Sequence, residues 1–301
     1  MTVLFLHTWI LRSVILCSLT GFSSCRDNEN KIKHPNNDKL NNRSYYDLSE
    51  DIIDNDVYYT DTITVKTAEE LTKHIRSNRL IKLANNEYNL IATLRIDSIK
   101  NLKIVGTGSS KLLVNERNAT VIKLVNCYNI HLDNLIIGHT ESPGHKGEQG
   151  ILRISHSYNI NISECKLFGA GTFGLVTYDV YNLKFTNSEI TECTALIFEL
   201  EKSRKFEFEN SKFHNNNLGT SVLGGFTNST KEITFLNCDF LNNKPDIAGN
   251  PAFNFFENYT DFNEQILFTN CTFKNNKGFK WYGDKIKLNN CKIDSSDFIG
   301  F

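Results

Sequence analysis

A frame of nine residues, written seven times, limits what this chain can fold into more than any other feature of its sequence. Each copy has apolar residues at alternate positions, a turn residue that is Asn in all copies but one, and a final apolar residue. The copies are NIHLDNLII (129–137), NINISECKL (159–167), NLKFTNSEI (182–190), KFEFENSKF (205–213), EITFLNCDF (232–240), QILFTNCTF (265–273) and KIKLNNCKI (285–293). Their first apolar residues lie 30, 23, 23, 27, 33 and 20 residues apart. This recurrence predicts a solenoid with one coil per copy and connecting loops of variable length.

The period of the apolar residues identifies the repeated unit as short strands. Alternation over three or four residues is typical of a strand with one buried side, and stacked coils can bury that side together. Asn makes up 38 of the 301 residues, and in the frame it falls where the chain must bend. Asn tolerates a left-handed backbone, and its amide can bond to the same amide one coil away. The predicted ladder of stacked side chains consists of Asn134, Asn187, Asn210, Asn237, Asn270 and Asn290.

Two variations of the frame carry further expectations. Glu164 replaces Asn in one coil, and we expect a local break in the ladder there. The next position is usually Cys or Ser, which suits a tight inward corner. We therefore expect structural thiols rather than disulfides, although an exported location would permit bridges. The cysteines include no close Cys-x-x-Cys pair, so they do not predict a metal site.

The first 60 residues differ in kind from the rest. Residues 1–25 combine Arg12, a short apolar stretch and small residues, which indicates a secretory signal rather than a membrane span. Phe22-Ser23-Ser24-Cys25 resembles a bacterial lipobox, which predicts lipidation of Cys25; plain secretion and an uncleaved anchor are the alternatives. Residues 26–60 are polar and rich in Asn and Asp, and they read as a flexible tether. We expect an outer-membrane or cell-surface lipoprotein, otherwise a periplasmic or secreted protein.

The frame with its Asn ladder resembles the right-handed parallel β-helix of the pectate-lyase-like superfamily. We accordingly predict an all-β domain at residues 61–301. Thr67 to Glu70 fit a capping box, and similar proteins close the open N-terminal end of the solenoid with a short helix. The frame is specific for a fold and says little about function.

A third strand precedes the frame in several coils, and its polar residues predict one outward face. If the apolar residues of VIKLV (121–125), ILRIS (151–155), GLVTY (174–178) and ALIFEL (195–200) point inward, the outward residues are Lys123, Arg153, Tyr178 and Glu199. Related enzymes usually bind polysaccharide along this face. The insertion beside it, residues 138–150, carries His139, Glu141, His145, Lys146 and Glu148.

These residue types fit more than one chemistry. A uronate lyase or epimerase needs a base and a cation, for which Arg153, Lys123, His139 and His145 are the catalytic candidates. A glycoside hydrolase needs a carboxylate pair, and Glu141, Glu148 and Glu199 could supply one. Tyr178 and these three carboxylates are also candidates for binding substrate. Solvated loop residues and ordinary surface charges would look the same.

No complete catalytic set is visible in the sequence, so a non-catalytic module is favoured over an enzyme. Such a module would bind a surface glycan or another partner, and its lipid anchor would bind a membrane. The alternative is a polysaccharide lyase, an epimerase or a hydrolase acting on acidic polysaccharide. We predict no cofactor, except Ca²⁺ if the protein is a lyase. The net charge of -1 gives no reason to expect a nucleic-acid partner.

Overall fold

Short parallel strands stacked along one axis make up nearly all of the structure. A computed structural model describes residues 59–116, 119–140, 150–169, 173–219, 221–227, 229–245, 254–256, 262, 264–281 and 285–299. Equivalent strands pair in register, so that Ile130 lies between Leu102 and Ile160 of the adjacent coils. The predicted all-β parallel β-helix is confirmed. No helix among the described residues is long and apolar enough to cross a membrane.

Each complete coil has three faces, which we call A, B and C. Face A comprises Leu94–Asp97, Ile122–Val125, residues 152–155, residues 173–178, Leu196–Glu201 and Leu223–Gly224. Face B comprises Asp61–Val65, Arg79–Leu83, Lys100–Val105, Tyr128–Asp133, residues 158–163, residues 181–186, Arg204–Glu209, Lys231–Leu236, Ile266–Thr269 and Ile286–Asn289. Face C comprises Glu87–Leu90, Lys111–Val114, Ile136–His139, Lys166–Phe168, Glu189–Thr191, Lys212–His214, Asp239–Leu241, Thr272–Lys274 and Lys292–Ile293.

Faces A and B belong to one sheet because two long strands, Leu152–Ser163 and Phe173–Thr186, run through the corner between them. Two smaller parallel pairs join Asn217–Leu218 to Lys244–Pro245 and Phe279–Lys280 to Phe298–Ile299. A 3-10 turn, Ser295–Asp297, precedes the last strand.

A short helix, Ala68–His74, lies at the N-terminal end, as the capping box predicts. Thr67 Oγ1 accepts a hydrogen bond from the main-chain N–H of Glu70 at 3.2 Å. Glu70 Oε2 in turn accepts from the N–H of Lys66 at 2.6 Å. Leu71 is the residue of the helix that is fully buried.

The core is one continuous column that changes character along the axis. Coils near the N-terminus are filled by Leu, Ile and Val, whereas later coils are filled by stacked Phe rings. The rings of Phe208 and Phe235 are parallel with centroids 4.4 Å apart, and Phe235 and Phe268 repeat this arrangement at 4.7 Å. These distances match the spacing between adjacent strands, about 4.8 Å. The in-register stacking of coils therefore sets the ring geometry.

Buried polar groups in the core form columns of their own. Asn216, Asn243 and Asn276 lie at equivalent positions, are 0–1% exposed, and bond amide to amide at 2.8 and 2.9 Å. Asp297 ends this column by accepting from the main-chain N–H of Asn276 at 3.1 Å. The cysteines of the described residues are free thiols, as expected, and Cys238 Sγ donates to the Phe208 carbonyl at 3.4 Å.

Candidate functional site

Face A presents three cations on consecutive coils. Arg95, Lys123 and Arg153 occupy one register position of adjacent strands. Their chain neighbours, such as Ile122 and Leu124, are fully buried, so alternation along the strand directs the cations outward. We call these residues the cation row. Arg95 forms an ion pair with Asp97 of its own strand at 2.6 Å. Among the described residues, Lys123 and Arg153 have no carboxylate partner.

The corner between faces A and B brings together ionisable side chains from three coils. His156 Nδ1 lies 3.0 Å from Asp179 Oδ2, and Lys202 Nζ donates to the Tyr178 hydroxyl at 2.7 Å. The His156 ring meets the edge of Tyr178 with centroids 5.4 Å apart. We call these four residues the corner cluster. Its members are half-buried, with 42% of the His156 side chain and 21% of the Asp179 side chain exposed.

Backbone conformation explains why the corner cluster projects from the solenoid. His156, Asp179 and Lys202 have φ of 48°, 55° and 49°, and Asn126 has the same conformation one coil earlier at 53°. A left-handed residue turns the chain between faces A and B, so its side chain leaves the convex side of the bend. One such residue per coil places side chains in a row.

The contacts within the corner cluster assign chemical roles to its members. When Nδ1 of His156 carries the proton, it donates a hydrogen bond to Asp179 Oδ2, and Nε2 is left available as a base. The hydrogen bond with Tyr178 raises the pKa of Lys202, and this outweighs the opposing effect of burial. Lys202 therefore remains charged and holds the Tyr178 hydroxyl in place. Together with Arg153, which precedes His156 on the same strand, the cluster can bind an anion and move a proton.

The structure brings some of the residues singled out from the sequence together and separates others. Lys123, Arg153, Tyr178 and Glu199 lie on face A, at half-buried positions of successive coils. Glu199 shares the register position of Arg153, with Val176 between them.

His139 lies elsewhere, at the end of a face C strand. It is only 4% exposed, and its Nε2 lies 2.9 Å from the Ala119 carbonyl oxygen. The His139 ring is buried on a different sheet, so it does not share a surface with Arg153. Glu141, His145, Lys146 and Glu148 lie outside the described residues, as does Cys25.

Sequence reasoning did not anticipate His156, Asp179 or Lys202. A detectable signal was the spacing, because these residues are separated by 23 and 23 positions, as are the repeated frames in the same coils. Extending the alignment toward the N-terminal side of each frame would have stacked the three residues.

Hydrogen bonds along the predicted Asn ladder join only part of it. The amides of Asn237, Asn270 and Asn290 donate to the preceding Asn at 3.2, 3.3 and 2.7 Å. The row of bonds ends at Asn210, whose Nδ2 donates instead to Glu209 at 3.3 Å.

A second ladder lies at the start of face B. It joins Asn78, Asn101, Asn129, Asn159 and Asn182 through bonds of 2.8, 3.0, 3.1 and 2.7 Å. Its signal in the sequence is the Asn that opens three of the repeated frames.

Metal ligands are not grouped on face A in the part of the chain that the structure describes. None of the described residues belong to a group of three or more His, Cys, Asp or Glu side chains that could hold a metal ion. The described part of the chain therefore does not fit the Ca²⁺ that a lyase would be expected to use.

The family model for the right handed beta helix region matches residues 149–301, which is just over half of the chain. The chain therefore belongs to the right-handed β-helix family. No curated protein sequence matches it.

Solved structures with the same fold come from varied sources. The ORF18 protein of Geobacillus virus E2 is 16% identical, with a TM-score of 0.51 over 71% of this chain, which spans only 44% of the viral protein. A pectin methylesterase from Aspergillus niger in deglycosylated form is 12% identical, with a TM-score of 0.54 over 78% of this chain and 88% of its own. A pectate lyase from Bacillus sp. N165 in complex with trigalacturonate is 14% identical, with a TM-score of 0.52 over 80% of this chain and 86% of its own. At such identities the likeness establishes the fold alone.

Proposed function

We propose that this protein binds an extended acidic polysaccharide along face A. The observation that carries the proposal is the cation row, in which Arg95, Lys123 and Arg153 lie in register on consecutive coils. Adjacent coils are about 4.8 Å apart, so the row repeats its charge on the scale of one sugar unit. Carboxylates along a glycan could form charge-assisted hydrogen bonds to these side chains, with the two guanidinium groups able to bind them in bidentate fashion.

The surroundings of the cation row also favour a polymer that is anionic and lies parallel to the axis. Lys202 extends positive charge toward the corner, and its ammonium is 4.7 Å from the Tyr178 ring centroid. The row ends at Val176 and Glu199 in the following coils, which limits the anionic segment to a few sugars. Two solved neighbours, a pectin methylesterase and a pectate lyase in complex with trigalacturonate, are consistent with this class of ligand.

Catalysis on the same ligand is a second candidate function, and the corner cluster favours it. A lyase or epimerase removes the proton next to a uronate carboxylate while a cation stabilises the charge that develops. His156, oriented by Asp179, could accept that proton, while Arg153 binds the carboxylate. The hydrolase alternative requires two suitably spaced carboxylates, and only Glu199 of its candidates lies among the described residues.

The binding proposal is tested with the full chain and immobilised polygalacturonate, alginate and neutral dextran. The double variant Lys123→Ala/Arg153→Ala should lose retention on the acidic polymers, by about tenfold or more if two charge-assisted bonds are removed. The matched double variant Lys184→Ala/Lys287→Ala removes two outward lysines from face B and should retain binding. Equal retention of the wild type and the face A variant would reject the proposal.

The same incubations decide between binding and catalysis when new double bonds and reducing ends are followed. An unsaturated product that disappears in His156→Ala, while retention persists, would establish a lyase. Retention without any product would leave the protein as a binding module.

We further propose that the chain is exported and anchored to a bacterial membrane by lipid on Cys25, as the lipobox pattern predicts. The variant Cys25→Ser should then move from the membrane fraction to the soluble fraction. Continued sedimentation with membranes would reject the anchor without bearing on face A.

A further inference from the structure

The corner between faces B and C contains a groove that the face A proposal does not use. Its volume is about 350 Å³, at the lower end of the usual range for ligand pockets. Asn134, Glu164 and Asn187 line one side on three successive coils. Residues of face C also line the groove, and they include Lys166, Glu189 and Lys212. We call this space the ladder groove.

The ladder groove lies where the Asn ladder is interrupted. A carboxylate only accepts hydrogen bonds, so Glu164 cannot donate one to the next side chain as the amide of Asn does. Downstream the ladder bonds run without interruption from Asn290 to Asn210. Within the described part of the chain, those bonds do not extend to Asn187, Glu164 or Asn134. Their polar atoms are half-buried or exposed and open to the groove.

The backbone conformation at position 164 makes Glu less favourable there than Asn. Glu164 has φ of 52°, as do its Asn equivalents at 57° in Asn134 and 49° in Asn187. Asn adopts this left-handed conformation more easily than Glu. The chain thus carries the less stable residue at the centre of the groove.

Charge in the groove is balanced. Lys166 Nζ pairs with Glu189 Oε1 at 2.7 Å, and Glu189 Oε2 lies 3.1 Å from His214 Nε2. Burial raises the pKa of Glu189, but the hydrogen bonds from Lys166 and His214 outweigh it and leave the pKa below its ordinary value. Lys212 and Glu164 supply one more charge of each sign. The groove therefore has no net attraction for an anion, in contrast to the cation row.

We propose that the ladder groove is a second binding site, selective for a neutral sugar. Amide and carboxylate groups repeat about 4.8 Å apart along the row from Asn134 to Asn187, offering donors and acceptors in alternation. Adjacent hydroxyls of a neutral sugar can both donate to Glu164 and accept from the amides on either side. This site is independent of face A and goes beyond the proposed function.

The test uses the substitution Glu164→Asn in the full chain, which gives this position the amide side chain of its two neighbours in the row. It should melt at a higher temperature than the wild type, because Asn tolerates the left-handed conformation of this position better than Glu does. It should also bind neutral sugar about tenfold more weakly, since a hydrogen-bonded carboxylate is lost. The matched control is Glu232→Asn, which changes the same residue type at φ of 54° outside the groove and should bind as the wild type does. The probes are xylohexaose, mannohexaose and cellohexaose, measured by calorimetry.

Each outcome decides the proposal. Weaker binding in Glu164→Asn, with normal binding in Glu232→Asn and in Lys123→Ala/Arg153→Ala, supports it. A wild type that binds none of the three hexaoses overturns it, as does equal binding by Glu164→Asn. Loss of neutral-sugar binding in the face A variant overturns it too, because the sugar would then lie on face A. If Glu164→Asn melts below the wild type, the decision passes to Lys212→Ala, which alters an exposed side chain and should also weaken binding.

Discussion

Replacing Asn243 with Ala removes the middle member of the buried asparagine column. Its Nδ2 donates to Asn276 Oδ1 and to the Phe213 carbonyl, both at 2.9 Å. Its Oδ1 accepts from the side chain and the main-chain N–H of Asn216 at 2.8 and 3.3 Å. Ala would leave the Phe213 carbonyl and the Asn216 N–H without these partners, where each unsatisfied buried group costs about 1–3 kcal/mol. With a small cavity added, the expected loss is about 4 kcal/mol of unfolding free energy.

The neighbouring residue provides a matched control. Asn242 is exposed, has φ of 56°, and is joined to Asn275 by one amide bond of 3.1 Å. Asn242→Ala should cost only about 1–2 kcal/mol, mainly from placing Ala in a left-handed conformation. Urea unfolding followed by circular dichroism measures both variants, and amide exchange at Asn216 reports local opening. A loss in Asn243→Ala no larger than that in Asn242→Ala would refute the reasoning.

Three further predictions test the core, an ion pair and the thiols. Ile266→Asp should unfold the domain, because Ile266 is fully buried and an unpaired charge there costs several kcal/mol. Leu267→Asp, on the adjacent outward position, should fold. Equal melting of both variants would contradict the register. Burial raises the pKa of Asp133, but hydrogen bonds from Lys103 and Ser163 outweigh it and hold the pKa below its ordinary value. Asp133 should therefore stabilise the fold fully above about pH 4 and lose that contribution as the pH falls further, and acid unfolding of Asp133→Asn should lack this component. Burial raises the pKa of Cys165 to about 12. An alkylating reagent should therefore modify half-buried Cys291 before Cys165, as mapped by mass spectrometry. The reverse order of modification would contradict the burial of Cys165.

The sequence was sufficient for the fold because one frame recurs in every later coil. Inward positions such as Ile130 and Ile160 must stack, and the alternation of the frame leaves one register that buries them all. The left-handed bends follow from the same alignment, since Asn is common where φ must be positive.

The candidate site was less accessible to sequence reasoning. Arg153 and Tyr178 could be assigned to face A by alternation, because Arg153 lies between two buried residues and Tyr178 follows a buried residue on its strand. His156 and Asp179 could not be assigned in this way. They occupy a corner where successive coils share a backbone conformation and not a residue type. Ionisable residues are close together in sequence in the 138–150 insertion, and this made His139 a catalytic candidate. The His139 ring is in fact buried on face C. In a solenoid, proximity comes from equivalent positions in successive coils.

The left-handed corner between faces A and B bears on how this protein could be engineered. A non-glycine residue in that conformation costs roughly 1–2 kcal/mol, and Asn tolerates it better than His or Lys. One coil meets this requirement with Asn126, while the next three place His156, Asp179 and Lys202 there. Selection for heat resistance alone would thus favour Asn at these corners and dismantle the His156–Asp179 and Tyr178–Lys202 pairs. The same positions determine both thermostability and the chemistry of the corner. Libraries selected for one of these properties should therefore be screened so that the other is kept unchanged.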